Sequence, residues 1–225
     1  EDTTGTPFKG DIVDKVSSGY LPQLLNPIEE SEVEKYLADD DWIAQEKFDG
    51  ERRLLIIKDT VVTGANRKGL TVPVEPKIIN DAKYLPDGVY DGEIFQKHFV
   101  IFDLVSSKIY SERQKDLEVA FMFLNNIPKK SLIMAGKATT TKTKTDFYKA
   151  LVKNNAEGIV FKNIHSQYIP WRPNSYGNQL KFKFYETCSC IVTGVNQQRS
   201  VSLGVIDNSV TLVPVGNVTI PPNKD

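Results

Sequence analysis

A lysine, an aspartate and an arginine occur at close spacing in residues 46–52, Glu-Lys-Phe-Asp-Gly-Glu-Arg. A lysine such as Lys47 can attack phosphorus only as the neutral amine, whereas an ordinary lysine has a pKa of about 10.4 and is charged at neutral pH. Taken alone, the segment also fits a hairpin in which Asp49-Gly50 is the turn and the charges are solvated. The chemistry therefore depends on the groups that the fold places around Lys47.

Lys181 and Lys183 alternate along a predicted strand, so both ammonium groups point to the same face. Delivered beside Lys47, they would favour its neutral form, since neighbouring cations disfavour a further charge. They would also neutralise negative charge that builds up on a phosphate in the transition state. The pattern predicts a nucleophilic lysine supported by two cations.

Lys47-x-Asp49-Gly50-x-Arg52 resembles motif I of the covalent nucleotidyltransferases, a superfamily of DNA ligases, RNA ligases and mRNA capping enzymes. Five further segments resemble the later motifs of that superfamily in the same order: residues 65–69 (Ala-Asn-Arg-Lys-Gly), 91–93 (Asp-Gly-Glu), 102–103 (Phe-Asp), 157–162 (Glu-Gly-Ile-Val-Phe-Lys) and 180–183 (Leu-Lys-Phe-Lys). Each match is weak alone, but the ordered set is specific. The resemblance covers residues 22–194.

The resemblance implies a role for each candidate residue. Lys47 would carry AMP, Arg52 and Glu93 would hold the ribose, and Phe102 would stack beneath adenine. Glu157 would position Mg²⁺ or Mn²⁺, as a hard cation suits a carboxylate and phosphate oxygens. The resemblance also implies catalytic roles for Lys181, Lys183 and Asp49, and Asp49 would fix the turn and assist the metal shell. It implies nucleotide binding by Glu46, Lys162 and Arg67. Arg67 would contact the ribose or the 5′-phosphate of a nick.

Structural alternatives exist for several of these residues. Phe102 fits an ordinary core position, Lys162 and Lys183 fit charged strand edges, and Asp91-Gly92 fits a second hairpin turn. His98 and His165 match no motif and are interpreted as structural or solvated. Two basic segments, residues 129–130 and 142–144, are interpreted as exposed faces.

Within the superfamily, the Arg52 that ends motif I, the Arg67 turn and the sequence of residues 157–162 resemble ATP-dependent DNA ligases. Such an enzyme, of DNA replication or repair, transfers AMP from ATP to a lysine, then to the 5′-phosphate of nicked double-stranded DNA, and finally seals the strand. NAD-dependent ligases are longer than 225 residues. The alternatives are an RNA ligase, a capping-type enzyme, and a non-catalytic nucleotide- or DNA-binding module.

Periodicity and turn residues predict an α+β fold. The expected helices are residues 31–37, capped by Ser31, and 75–83, 111–125 and 145–154. The expected strands are residues 42–48, 52–58, 61–63, 89–95, 99–105, 159–161, 180–184, 190–193, 203–206 and 210–214.

Two domains are predicted from the elements and the resemblance together. Residues 1–186 would form a nucleotidyltransferase (adenylation) domain, ATP-grasp-like, of antiparallel sheets with flanking helices. Residues 187–225 would form a partial OB-fold β-barrel, since they are few for a closed barrel. Motif VI is not visible, which predicts an impaired first step.

The composition is that of an ordinary globular protein, with 40% hydrophobic and 25% charged residues and a net charge of -1. Cys188 and Cys190 are too few for a disulfide framework or a zinc site. No apolar run is long enough to span a membrane, and the first residues lack an initiator Met and a signal-peptide pattern. The expectation is a monomer that is cytoplasmic, nuclear or nucleoid-associated, not secreted and not bound to a membrane.

Overall fold

The computed structural model describes residues 16–125, 127, 130–171, 177–185, 189–197 and 199–220. Predictions for the lead-in up to residue 15, for Lys129, for Cys188 and for the last five residues lie outside this range. The described chain divides into two compact units, Glu1–Phe184 and Tyr185–Asp225. No helix in the described part of the chain is long and apolar enough to cross a membrane.

The described residues of the first unit form four helices and eleven strands. The helices are α1 (Glu30–Ala38), α2 (Pro76–Ala82), α3 (Tyr110–Met122) and α4 (Thr141–Lys153). The strands are β1 (Asn26–Pro27), β2 (Trp42–Glu46), β3 (Glu51–Lys58), β4 (Val61–Asn66), β5 (Thr71–Val72), β6 (Gly88–Phe95), β7 (His98–Leu104), β8 (Leu132–Met134), β9 (Lys137–Ala138), β10 (Gly158–Asn163) and β11 (Gln179–Lys183). The predicted α+β class and all predicted elements of this unit are confirmed, with shifted ends.

A five-stranded sheet has the order β1-β11-β10-β2-β9 and is antiparallel except where β1 meets β11. Alternate residues of its strands pack against α1 and α4 in one apolar cluster, which includes Ala44, Ile159, Phe161 and Leu180. Because side chains alternate across a strand, the residues between them point to the other face. That second face carries Lys47 and its neighbours.

A six-stranded sheet has the order β5-β4-β3-β6-β7-β8, antiparallel except between β7 and β8. Helices α2 and α3 cover one face through a cluster that contains Leu55, Tyr90, Phe99, Ile101 and Leu117. The ladder is irregular where Asp91 pairs with Asp103 and Gly92 with Ile101, which leaves Phe102 as the extra residue of a bulge. Bulges redirect side chains, and this one frees Phe102 from the regular pairing.

The hairpin interpretations of Asp49-Gly50 and Asp91-Gly92, given above as structural alternatives, are wrong. Asp49-Gly50 does not join paired strands, because β2 belongs to the five-stranded sheet and β3 to the six-stranded sheet. Asp91-Gly92 lies inside β6, paired to strands on both sides. In each case the Asp-Gly pair indicated a turn, but the long-range strand pairing decided the conformation. The 46–52 segment instead carries the chain from one sheet to the other.

Two local predictions about charged or polar residues are also corrected. Helix α1 begins after Glu29, not after Ser31, and the Glu32 carboxylate accepts a hydrogen bond from the Glu29 N–H at 3.0 Å. Lys144 is buried, and not exposed as predicted for residues 142–144, because its Nζ donates hydrogen bonds to the backbone oxygens of Tyr36, Asp39 and Trp42. Lys144 thereby fixes the connection that leads into β2.

The second unit contains three described strands, β12 (Ile191–Asn196), β13 (Ser200–Ile206) and β14 (Leu212–Thr219), which form one antiparallel sheet. The three predicted strands are present, and no helix is described here. Many apolar side chains of this sheet are exposed, among them Val195, Leu212 and Val215. The OB-fold assignment of residues 187–225 stays a prediction.

Candidate active site

The face of the five-stranded sheet opposite α1 and α4 carries several polar side chains. Gln45 in β2 lies opposite Val160 in β10, and Val160 lies opposite Lys181 in β11. One row further along, the Lys47 N–H donates to the Gly158 oxygen at 3.0 Å, and Gly158 lies opposite Lys183. The register therefore places Lys47 and Lys183 on either side of a glycine.

Glu157 bridges the two lysines that flank Gly158. Lys47 Nζ lies 2.5 Å from Glu157 Oε2, and Lys183 Nζ lies 2.8 Å from Glu157 Oε1. Burial alone would raise the pKa of Glu157, but the hydrogen bonds from Lys183 and Lys47 outweigh it and lower that pKa below its ordinary value. The carboxylate is thus ionised and holds the Lys47 amine in a fixed position.

Gly158 lets β10 and β11 approach closely beside this bridge. A Cβ at residue 158 would overlap the backbone oxygen of Phe182 on the neighbouring strand. We expect Gly158→Ala to destabilise the protein by about 1–3 kcal/mol, as overpacking does. We also expect it to slow the reaction at Lys47 at least about tenfold, because a small displacement of reacting groups is costly. Urea unfolding and the nucleotide-labelling assay described below measure the two effects.

Gly136→Ala is the matched control, since a Cβ at residue 136 meets no atom within 4 Å. Equal behaviour of the two alanine variants would contradict the role given to Gly158.

Residues of the six-stranded sheet line the same cavity as Lys47. Arg52 and Glu93 are cross-strand partners in β3 and β6. The Glu93 carboxylate accepts a hydrogen bond from the Gly50 N–H at 3.2 Å. Burial raises the pKa of Glu93, and Arg52, Gly50 and Lys47 oppose this effect. Burial also raises the pKa of Glu46.

The cavity has a volume of about 120 Å³ and lies between the two sheets. Eight of the eleven predicted site residues line it: Glu46, Lys47, Arg52, Arg67, Glu93, Phe102, Lys162 and Lys181. Asp49 and Glu157 line two adjoining clefts that Lys47 also reaches. Lys183 joins the group through Glu157. The structure therefore brings all of the predicted residues around one lysine.

Arg67 is presented by the predicted turn between β4 and β5. The Asn66 side-chain oxygen accepts hydrogen bonds from the Lys68 and Leu70 N–H groups at 2.9 and 3.1 Å. Gly69 has a φ of 74°, which favours glycine, and a Cβ there would approach the Tyr20 oxygen. This ordered turn places Arg67 at the border between the cavity and the cleft beside it.

A network behind the cavity, which sequence reasoning did not assign, holds Arg52. The Arg52 guanidinium donates to both oxygens of Asp91, at 2.6 and 2.7 Å, and to the Gln23 backbone oxygen at 2.9 Å. The Tyr168 hydroxyl donates to Asp91 at 2.7 Å. Asp91 could have been found from the sequence, since it belongs to the 91–93 motif segment. Gln23 and Tyr168 could not, because they belong to no motif and lie far from Arg52 and Asp91 in the sequence.

A second ion pair lies deeper. Arg113 in α3 donates to both oxygens of Asp103, at 2.7 and 3.0 Å, and the two side chains are 0% and 1% exposed. Gln179 Nε2 lies within hydrogen-bond distance of both Gln23 Oε1, at 3.2 Å, and Asp103 Oδ2, at 3.3 Å, which connects this pair to the Arg52 group. The bulged residue Phe102 directly precedes Asp103, so this network holds the backbone from which the aromatic ring projects.

Phe102 and Lys162 are in contact at the inner end of the cavity. Lys162 Nζ lies 4.6 Å from the centre of the Phe102 ring, and the Arg52 guanidinium carbon lies 4.7 Å from it. The strand-edge interpretation of Lys162 is wrong, because β10 is an inner strand and Lys162 is only 2% exposed. The core interpretation of Phe102 is also wrong, since its side chain is partly exposed and lines the cavity.

Burial lowers the pKa of Lys162 to about 8, with Asp103 and Asp91 opposing the shift. Between pH 8 and the ordinary value of 10.5, the unfolded chain therefore binds more protons at this residue than the folded protein, and stability must rise with pH. We expect the free energy of unfolding of the wild type, relative to Lys162→Met, to increase by about 2–3 kcal/mol between pH 7 and pH 10.

Urea unfolding of both proteins at intermediate pH values measures this difference, and the subtraction removes the titration of other groups. A flat or falling difference would show that Lys162 is not desolvated.

Gln45 is a further cavity residue that sequence reasoning missed. It is 2% exposed, and neither its side-chain nitrogen nor its oxygen has a hydrogen-bond partner among the residues that the structure describes. A signal for Gln45 was present, because it stands two residues before Lys47, and residues two apart in extended backbone share a face. A glutamine between Ala44 and Glu46 has no evident chemistry until the cavity is known.

Three solved structures illustrate the similarity of this fold to known proteins. Mycobacterial DNA ligase D complexed with ATP matches with a TM-score of 0.63 and 21% identity over 90% of this chain and 73% of that one. A Lig E DNA ligase matches with a TM-score of 0.61 and 15% identity, covering 87% and 83%. The ATP-dependent DNA ligase of bacteriophage T7, in complex with ATP, matches with a TM-score of 0.54 and 15% identity, covering 88% and 81%.

No protein-family model and no curated protein sequence matches the chain. At these low identities the likeness concerns the fold, and it agrees with the resemblance of the sequence motifs. The chain has the fold of the ATP-dependent DNA ligases.

Proposed function

We propose that this protein is an ATP-dependent DNA ligase whose Lys47 carries AMP. The observation that carries the proposal is the cavity that Lys47 and Phe102 both line, with Glu157 joining Lys47 to Lys183. A nucleophile, an aromatic surface and cations around one cavity are what a lysine needs to take a nucleotide from a triphosphate.

The cavity residues divide into groups for the parts of ATP. The adenine stacks on Phe102, and stacking of this kind contributes about 1–3 kcal/mol per base. Arg52 and Glu93 hold the ribose, Arg52 being fixed by Asp91. Lys181 and Lys183 neutralise charge on the α-phosphate. Lys162, Glu46 and Arg67 complete the binding site.

The first step joins Lys47 to the α-phosphate. The Nζ ammonium leaves the Glu157 carboxylate and passes one proton to solvent. The neutral amine then attacks the α-phosphorus, and the P–N bond forms as the bond to pyrophosphate breaks; the second amine proton leaves to solvent or with pyrophosphate. The entering phosphates offer Lys183 an alternative anionic partner, so the bridge at Glu157 can open when a nucleotide is present.

A divalent cation fits the residues at this site. Glu157 is an ionised carboxylate beside the nucleophile, and Asp49 lines the same clefts. The described ranges contain no cluster of three or more metal-ligating side chains, so these two carboxylates are the ligands that the protein would supply here. Mg²⁺ in nucleotide enzymes is held by one or two carboxylates together with phosphates and water, and Mn²⁺ accepts the same oxygen ligands. When bound, the cation would neutralise phosphate charge.

The AMP group then passes to the 5′-phosphate of nicked double-stranded DNA, and the 3′-hydroxyl displaces it to seal the strand. Arg67 lies in the turn beside the open cleft, where it can meet the 5′-phosphate. The similarity of fold to three DNA ligases supports this substrate over RNA.

The test uses the purified protein with α-labelled ATP and Mg²⁺, followed by peptide mass spectrometry. We expect AMP on Lys47 and, after addition of nicked DNA, its transfer and the sealed strand. A second reaction without ATP, on a nick whose 5′ end already carries AMP, tests the last step alone. Absence of both the adduct and sealing would refute the proposal, and sealing of nicked RNA in preference to DNA would identify an RNA ligase instead.

A further inference from the structure

A closed ring of hydrogen bonds connects Arg52 to three residues behind the cavity. The Gln23 N–H donates to the Tyr168 hydroxyl at 2.9 Å, and that hydroxyl donates to Asp91 Oδ2 at 2.7 Å. Arg52 Nη2 completes the ring, because it donates to Asp91 Oδ2 at 2.7 Å and to the Gln23 oxygen at 2.9 Å. The N–H and the carbonyl of one residue, Gln23, therefore both belong to the ring.

Burial gives the Tyr168 hydroxyl a single orientation in this ring. Asp91 is 1% exposed and Tyr168 is 8% exposed, so little water competes for their hydrogen bonds. Burial and the charge of Asp91 raise the pKa of Tyr168 well above its ordinary value, and the hydroxyl keeps its proton. The Gln23 N–H can only donate and the Asp91 carboxylate can only accept, so the hydroxyl between them cannot turn over without losing both partners.

The ring leaves two N–H groups of Arg52 for a ligand. A guanidinium has five N–H donors, and Nε and Nη2 use three of them on Asp91 and Gln23. None of the described residues accepts a hydrogen bond from Nη1, and Arg52 lines the cavity with its guanidinium carbon above the Phe102 ring. Because the guanidinium is planar, fixing Nε and Nη2 also fixes the direction of the Nη1 donors.

We propose that Tyr168 is a positioning residue that directs Arg52 toward the sugar of the bound nucleotide, and that the preference for ribonucleoside over deoxyribonucleoside triphosphates depends on it. The inference rests on the function proposed for Lys47 and on the ribose contact proposed for Arg52. Tyr168 acts from behind Arg52 and is not among the described residues that line the cavity.

Two contacts transmit the effect of the hydroxyl to Arg52. Without the hydroxyl, Asp91 Oδ2 loses one of its donors, and the Gln23 N–H loses its acceptor. The Gln23 carbonyl, which holds Arg52 Nη2, belongs to the same residue and shifts with its N–H. Both changes loosen the same edge of the guanidinium.

The first experiment measures labelling of Lys47 in the full chain by α-labelled ATP and by its 2′-deoxy and 3′-deoxy analogues. Tyr168→Phe should lower kcat/KM for ATP by about ten- to a hundredfold, because a small misplacement of a binding group is costly. The loss should shrink to less than about threefold for the analogue that lacks the hydroxyl held by Arg52, since the effects of coupled groups do not add. An equal loss with all three nucleotides would overturn the proposal.

The second experiment introduces Tyr168→Phe into the Arg52→Met variant. Because Tyr168 acts through Arg52, the added change should slow labelling by ATP less than about threefold in this background. The full wild-type loss repeated in Arg52→Met would show that Tyr168 supports the fold in general and does not position Arg52.

Tyr90→Phe is the matched control, since it removes another buried hydroxyl. Tyr90 is 1% exposed and its hydroxyl donates to the Pro86 oxygen at 2.8 Å, on the face of β6 that packs against α2 and α3. This variant should label at the wild-type rate with the wild-type preference among the three nucleotides. Thermal unfolding identifies the temperature at which every variant is folded.

The outcomes separate the two proposals. Labelling of the wild type by ATP with unchanged rates in Tyr168→Phe would overturn the role of Tyr168 and leave Lys47 as the nucleophile. Labelling of the wild type by none of the nucleotides would overturn the function proposed for Lys47, and the positioning role with it.

Discussion

Lys47→Ala is expected to abolish covalent labelling by α-labelled ATP, a loss of at least about a thousandfold, because the variant lacks the amine that forms the P–N bond. Non-covalent binding of ATP should change little, since Phe102, Arg52 and Lys162 still line the cavity. Labelling, followed by gel analysis, and equilibrium binding of ATP separate the two effects.

The variant should lose much less activity in sealing a nick that already carries AMP, because that substrate bypasses the lysyl intermediate. Lys142→Ala is the matched control, as Lys142 is an exposed lysine paired with Asp146 on α4. A covalent label that persists in Lys47→Ala would remove this lysine from the mechanism. Equal losses in both alanine variants would point to a general effect of losing a lysine.

Arg113→Met is expected to destabilise the protein by about 3–5 kcal/mol, because it leaves the Asp103 carboxylate buried without its main partner. A typical domain has only about 5–15 kcal/mol of stability, so this loss is a large share. Urea unfolding at pH 7 measures it. We also expect slower labelling by ATP, since Phe102 precedes Asp103 and loses its support.

The double variant Asp103→Leu/Arg113→Met tests the cause. Removing both charges eliminates the uncompensated carboxylate, so at least half of the lost stability should return, as is found when buried pairs are replaced by apolar residues. If the double variant is less stable than Arg113→Met, the pair acts through some other interaction. If Arg113→Met lowers the free energy of unfolding by less than about 1 kcal/mol, the Asp103 carboxylate is solvated by water in the variant and the prediction is wrong.

The sequence by itself was sufficient for the α+β class, for four helices and ten of the strands, and for the eleven candidate residues that the fold brings near Lys47. Elements of these lengths follow from local hydrophobic periodicity, which the chain displays directly. The 46–52, 91–93 and 157–162 segments could be recognised because their residue types recur at fixed short spacings. Both kinds of information are local, so neither needed the fold.

Local information failed wherever distant strands decided the outcome. Asp49-Gly50 and Asp91-Gly92 have the composition of turns. The separation of β2 from β3 into two sheets overrode that preference at the first pair, and the pairing of β6 with β3 and β7 overrode it at the second. Lys144 and Lys162 look like surface charges in sequence. Both are buried because backbone oxygens or aromatic rings from other segments receive the ammonium group.

The positions of the reacting groups relative to each other were decided only in three dimensions. Sequence named Lys47, Glu157 and Lys183 as candidates, but the antiparallel register of β2, β10 and β11 is what sets them on either side of Gly158. The supporting residues Gln23, Arg113, Tyr168 and Gln179 have no short-range pattern. Hydrogen bonds between residues far apart in the chain depend on the packing of whole sheets, and that packing leaves no periodic trace in the sequence.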